Sequence, residues 1–219
     1  MCNTPAVTRQ LVTLGFGLMT LTEERPDAGN FAEARRAMID SQLRTSGVNE
    51  PFVLNAMASV AREDFVPDAA RSAAYIDRAI PLGDGRFLAA PVVQGMMLAE
   101  AAPKANDRAL LIGDGNGYLA ALLSPLVASL DAVMPGDLAA QGGKGDYSLI
   151  VIDGAVEELP AAIENLLADD GRLVTGLVER GVTRLAAGRK AAGAVSLLPL
   201  AEIGIPAIPE FAAPKRWSF

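Results

Sequence analysis

The sequence predicts an α/β fold with a mainly parallel sheet, and three observations carry that reading. The apolar stretch Leu110-Leu111-Ile112 runs straight into alternating glycines, Gly113-Asp114-Gly115-Asn116-Gly117, and then into a helical pattern that begins at Tyr118. Beyond Pro103 strand and helix patterns alternate, the order that makes strands parallel neighbours. The 219 residues are 51% hydrophobic and 21% charged, enough for one substantial core with a small subdomain attached.

Residues 1–30 stand apart from the patterned chain. Arg9 followed by the apolar run from Leu11 to Met19 has the polarity order of a leader peptide, but Thr13 interrupts the run and no small-x-small cleavage site comes after it. The segment reads as a disordered extension, or as a start placed ahead of a natural one at Met19. Residues 31–103 read as a helical and hairpin subdomain. Phe31, Ala34, Met38 and Leu43 recur at helical spacing, and Gly47 supplies a left-handed stop. Asn49 is placed to cap a second helix with Val53, Leu54, Met57 and Val60 on its apolar face and Pro51 in its first turn. Residues 75–77 and 80–88 read as extended chain, the latter with an Asp84-Gly85 turn, and a further helix spans 92–102. Residues 104–219 form the α/β unit proper. Its expected elements are strand 108–112, helix 118–127, strand 147–152, helix 159–167, a turn at Asp169-Asp170-Gly171, and strands 172–177 and 195–200. Pro206, Pro209 and Pro214 make the last segment irregular.

Composition excludes several classes of function. The net charge is −7, and the basic pairs Arg35-Arg36 and Lys215-Arg216 are too short to track a phosphate backbone, so neither nucleic acid nor a membrane is an expected partner. One cysteine, Cys2, precludes an internal disulfide and fits a reducing cytoplasm. With no histidine the chain has no imidazole base, no His metal ligand and no Ser-His-Asp triad. Glu157-Glu158 favour a helix start through its dipole, and no metal site is expected.

The glycine turn is the candidate binding feature, because glycines at this spacing let the backbone pass beneath a bulky ligand. Asp114 and Asn116 are also ordinary turn formers, and Asp153 leaves a central strand at the end where open α/β sheets hold ligands. A nucleotide-type site also needs an acid about twenty residues on, at the end of the next strand, to hold the ribose. Residues 129–146 offer one short apolar run and then loop composition, so that acid has no obvious place.

Several segments in a fixed order carry a family resemblance. Met38-Ile-Asp-Ser-Gln42-Leu43 with Gly47, Val53-Leu54-Asn-Ala56-Met57, Arg62-Glu63-Asp64-Phe65-Val66-Pro67, Ala74-Tyr75-Ile-Asp77, Pro81-Leu82-Gly83, the glycine turn and Asp153-Gly154-Ala155 resemble the protein-L-isoaspartate O-methyltransferases. The resemblance runs from Met38 to Phe219. It implies a Rossmann-like S-adenosylmethionine-dependent methyltransferase fold, with the cofactor on Gly113, Asp114, Gly115, Asn116, Gly117, Asp137 and Asp153. It also implies methyl transfer to the carboxylate of isoaspartyl residues in damaged proteins or peptides, the first step of their repair.

The departures from that pattern have chemical consequences. The family's hydroxyl residue, two before a proline, is Ala89 here; the acid ahead of Ile-Gly is Leu111; and the block carrying the second strand and its ribose acid reads as missing. A carboxylate with pKa near 4 is already ionised at pH 7, so transfer needs alignment rather than a base, and no side chain is assigned a catalytic role. The lost hydroxyl removes a hydrogen bond to a charge, about 1.5–3 kcal/mol. The lost ribose acid weakens cofactor binding further. The expectation is an impaired methyltransferase, with a non-catalytic family member that binds a partner as the alternative. A missing second strand would leave Arg108–Ile112 at a sheet edge, and residues 130–134 are expected to fold back over it, which favours a monomer over a homodimer.

Overall fold

Helical structure begins where the apolar spacing does. The computed structural model describes residues 28–140 and 145–214; the segment 1–27, with Cys2 and Met19, lies outside the described residues. Helix α1 (Ala28–Met38) tightens and loosens through a π turn at Ile39–Leu43 and a 3-10 turn at Arg44–Ser46, then stops at Gly47 with φ of 89°. Helix α2 (Pro51–Ser59) starts on proline as expected, but its cap residue is Glu50 rather than Asn49. Asn49 spends its backbone N–H on the Glu50 carboxylate at 3.1 Å, so it lies one residue too early to cap.

Strands β1 (Ile80–Gly83) and β2 (Arg86–Leu88) form the expected hairpin, closed by Asp84 and Gly85 with φ of 50° and 73°. Tyr75–Asp77, expected as extended chain, is a turn instead. Its aspartate accepts the Val92 N–H at 3.3 Å and so caps helix α3 (Pro91–Ala101). Helix α3 is apolar nearly all round because it lies between α2 on one side and the sheet on the other, and Val93, Met97 and Leu98 are fully buried.

The main sheet contains β3 (Arg108–Ile112), β4 (Ser129–Val133), β5 (Tyr147–Val156), β6 (Leu167–Glu179), β7 (Val182–Ala191) and β8 (Ala194–Glu202), in the order β4-β3-β5-β6-β7-β8. The first four are parallel and the last two antiparallel. Strand residues divide by parity between the two faces. Leu111, Leu149 and Val151 join α1 to α4 (Tyr118–Leu123) in one core, while Leu110, Ile112, Ile150 and Ile152 meet α5 (Ala162–Leu166) and Phe211 in the other.

Two expectations are corrected by the sheet. The second strand is present: β4 pairs with β3 from Arg108↔Ser129 to Ile112↔Val133 and covers the edge. The run 130–134, expected to fold back over that edge, does so as this strand; its pattern is weak because it is short, lies at the sheet edge and leaves Ser129, Asp131 and Ala132 exposed. Asp131, in mid-strand, is tied down by the Tyr147 hydroxyl at 2.8 Å and by Arg108 at 3.6 Å. Among the described residues a 3-10 turn (Pro135–Ala140) leads on from β4 towards β5, and one strand lies outside β3, where doubly wound sheets place two. The second correction is β7, for which the sequence showed no element. Its turns, Arg180-Gly181 (φ 52° and 79°) and Ala192-Gly193 (φ 52° and 84°), put Arg and Ala where Asn or Asp would announce a hairpin.

Helix α4 ends at Leu123 rather than 127, because Pro125 allows only a 3-10 turn beyond it, and α5 is shorter than the expected 159–167. The Asp169-Asp170-Gly171 turn survives as an irregularity inside β6, with Asp170 at φ 61°. No helix among the described residues is long and apolar enough to cross a membrane.

Candidate binding cavity

The carboxyl ends of β3, β4 and β5 open into a cavity of about 300 Å³. One part of the wall is the glycine turn, with Gly113, Asp114, Asn116 and Gly117; another is the hairpin, with Arg86, Phe87 and Leu88. Asp153 at the end of β5 and Met134-Pro135 at the end of β4 also line it, and the tail from Pro206 to Glu210 completes it.

The turn is held by its own aspartate. Asp114 accepts the Asn116 N–H through Oδ1 and the Gly117 N–H through its carbonyl, each at 2.9 Å. None of the three glycines has positive φ, so close approach rather than handedness demands them. A Cβ on Gly113 would lie 3.0 Å from the Asp153 Cβ, on the cavity side. A Cβ on Gly115 would lie 2.9 Å from the Ala132 Cβ, so Gly115 packs against β4 and stands outside the cavity wall. Asp137 is likewise outside it. The 3-10 turn brings the Asp137 N–H back to the Met134 carbonyl at 2.9 Å, which leaves Met134 and Pro135 on the wall and Asp137 exposed. The sequence thus identified five of the wall's residues, Gly113, Asp114, Asn116, Gly117 and Asp153, while Gly115 and Asp137 do not join them.

The fold also locates the position for a ribose acid. The residue that leaves the strand after the glycine turn, and that faces the cavity, is Met134. A thioether is a weak acceptor and cannot replace a carboxylate in taking the charge-assisted hydrogen bonds that a ribose diol donates.

Asp153 feels the charge of a buried cation. Burial pushes its carboxyl up to about 6; the positive charge of Arg62 pulls the other way, and nearby Asp114 adds to the rise. Arg62 is fully buried, donating to the Ala74 carbonyl at 2.7 Å, the Gln94 Oε1 at 2.5 Å and the Ala89 carbonyl at 2.5 Å, with its guanidinium 5.0 Å from the Tyr118 ring centre. Desolvation lowers its pKa to about 10. The Tyr118 hydroxyl is buried and has no hydrogen-bond partner among the described residues. Ala89, where the family resemblance implies a hydroxyl, is 2% exposed, so its methyl does not face the cavity.

Charge is unevenly spread around the opening. Among the described residues Arg86 is the one cation on the wall, against Asp64, Asp114, Asp153 and Glu210. Its Nη1 reaches the Asp114 Oδ2 at 3.5 Å, linking hairpin to glycine turn. The tail is the other feature that pattern reading missed. Its prolines mark irregular chain, yet the Ala155 N–H donates to the Pro206 carbonyl and the Ile208 N–H to the Ala155 carbonyl, each at 2.8 Å, so the tail pairs alongside β5.

Known proteins share both the sequence pattern and the fold. The family model for protein-L-isoaspartate(D-aspartate) O-methyltransferase matches residues 33–135, ending where β4 gives way to its 3-10 turn. The chain is 33% identical over 193 residues to a protein-L-isoaspartate O-methyltransferase of Koribacter versatilis, a match spanning 77% of this chain and 87% of the relative. It is 35% identical over 170 residues to the enzyme of that name from a Roseiflexus species, spanning 66% and 78%. Among solved structures, a Plasmodium falciparum protein described as a protein-L-isoaspartate O-methyltransferase, in complex with S-adenosyl-L-homocysteine, shares the fold, with a TM-score of 0.65 at 17% identity. That likeness covers 82% of this chain and 98% of that one.

Proposed function

The chain belongs to the protein-L-isoaspartate O-methyltransferase family, and from that premise we propose that it transfers a methyl group from S-adenosylmethionine to the carboxylate of isoaspartyl residues in damaged proteins, as a cytoplasmic monomer. The observation that carries this reading is the cavity itself, which joins the glycine turn of β3 to the acid of β5 at the end of the sheet where such folds hold ligands. The wall suits a cationic ligand with an apolar body. Four carboxylates surround it, and Gly113 leaves the space that a Cβ would fill. It suits a ribose less well, since Met134 stands where an acid would serve.

When bound, S-adenosylmethionine supplies an electrophilic methyl group on a sulfonium. Gly113, Asp114, Asn116, Gly117 and Asp153 are the residues that would hold it. A positive ligand beside Asp153 favours the ionised carboxyl and so offsets the cost of its burial. The acceptor carboxylate is ionised well below neutral pH, so the chain has no proton to remove; its tasks are to orient the two reactants and to keep water out. Phe65, Leu88 and Ile208 supply the apolar part of the wall for the second task.

Calorimetric titration with S-adenosylmethionine tests the reading. Binding is expected in the high micromolar to millimolar range, weakened by Met134, and Gly113→Val should abolish it by pressing a side chain onto Asp153. A second reading, a family member that keeps the fold to bind a partner without catalysis, is favoured by Met134 and Ala89. Absence of heat at millimolar ligand would decide for it.

A further inference from the structure

We propose that Arg86 binds the acceptor carboxylate, taking over the role that the family resemblance gives to a hydroxyl at the position of Ala89. The inference rests on the methyltransferase reading and adds to it the residue that recognises the substrate's charge.

An anionic acceptor entering this cavity meets Asp64, Asp114, Asp153 and Glu210, and each repels it. A counter-charge offsets that repulsion, and among the described residues Arg86 is the cation that the wall provides. Ala89 cannot be the anchor, because it lacks a donor and its methyl is buried away from the space. Arg86 lies three residues earlier, at the start of β2, and its guanidinium reaches to 3.5 Å from Asp114, so a group held by it lies beside the glycine turn. Its present partner is loosely held. The contact with Asp114 is 3.5 Å, beyond the usual hydrogen-bond range, and both side chains are more than two-fifths exposed. A carboxylate ligand that accepts two parallel N–H bonds from the guanidinium is the better match. Phe87 beside it is 45% exposed and gives the neighbouring peptide an apolar surface to rest on.

Two carboxylates could claim Arg86, that of the acceptor and the α-carboxylate of the cofactor. The test separates them, using the full-length protein with S-adenosylhomocysteine present and a fluorescent isoaspartyl peptide followed by anisotropy, beside the methyl ester of the same peptide. Wild type is expected to prefer the free acid roughly tenfold. Arg86→Gln should erase that preference, Arg86→Lys should keep part of it, and calorimetry should find S-adenosylmethionine affinity undiminished in both. A preference that survives in Arg86→Gln overturns the assignment, as does a wild type that binds cofactor but does not distinguish acid from ester. Loss of S-adenosylmethionine affinity in Arg86→Gln also overturns it, giving Arg86 to the cofactor's carboxylate. A wild type that binds no S-adenosylmethionine overturns the methyltransferase reading and this inference with it.

Discussion

Replacing Asp153 with asparagine should make the protein more stable and its cofactor site weaker. Burial lifts this carboxyl from 3.8 to about 6 even with Arg62 nearby, so the folded protein holds the proton more tightly than the unfolded chain does. Its contribution to stability is therefore intact below about pH 4, declines as pH rises from about 4 to 6, and stays low above that. The penalty amounts to about 3 kcal/mol at pH 7 and about half of that at pH 5. Asparagine has the shape of the protonated acid and does not titrate, so Asp153→Asn should recover most of that penalty at pH 7. For a chain of this size, each kcal/mol is about 2–4 °C in Tm. Urea unfolding followed by circular dichroism at pH 5 and pH 7.5 would read it directly, with the gain over wild type smaller at the lower pH. The same variant should bind S-adenosylmethionine more weakly, since it removes a negative charge from the wall; stability and function oppose each other at this residue. A variant that is less stable than wild type at pH 7.5, or whose gain does not shrink toward pH 5, would show that Asp153 is held charged as a partner of Arg62 and refute the reasoning.

Met134→Glu restores an acid at the end of β4 and should tighten S-adenosylmethionine binding roughly tenfold or more, read by calorimetry; an unchanged affinity would mean that the ribose lies elsewhere. Val133 is 7% exposed and closes the edge of β3 opposite Ile112, so Val133→Lys should cost a few kcal/mol and turn a sedimenting monomer into associating species. A wild type that sediments as a dimer, unaltered by that substitution, would exclude the self-covered edge.

The features that the sequence determined unaided are local ones. The strand Arg108–Ile112, the glycine turn behind it, the Asp84-Gly85 hairpin, the Gly47 stop and the proline-led helices each depend on a few neighbouring residues whose backbone preferences agree. The ordered segments that resemble the family carried the fold class as well. Tertiary structure decided what depends on residues far apart in the chain. β4 is a strand because β3 offers it an edge and Tyr147 and Arg108 hold its aspartate, although its own pattern is weak. β7 arises from left-handed turns at Arg180 and Ala192, residue types that give no local warning. The tail becomes a cavity wall through backbone pairing with Ala155 and burial of Ile208 and Phe211 against the sheet, contacts that no local pattern announces. Gly115 and Asp137 sit within a few residues of the cavity in sequence and yet outside it, because the direction a residue faces is set by the strand it leaves and the turn beyond it. Arg62 lies in a connector segment, where an arginine reads as exposed, and it ends as a buried cation because carbonyls from three other segments converge on it.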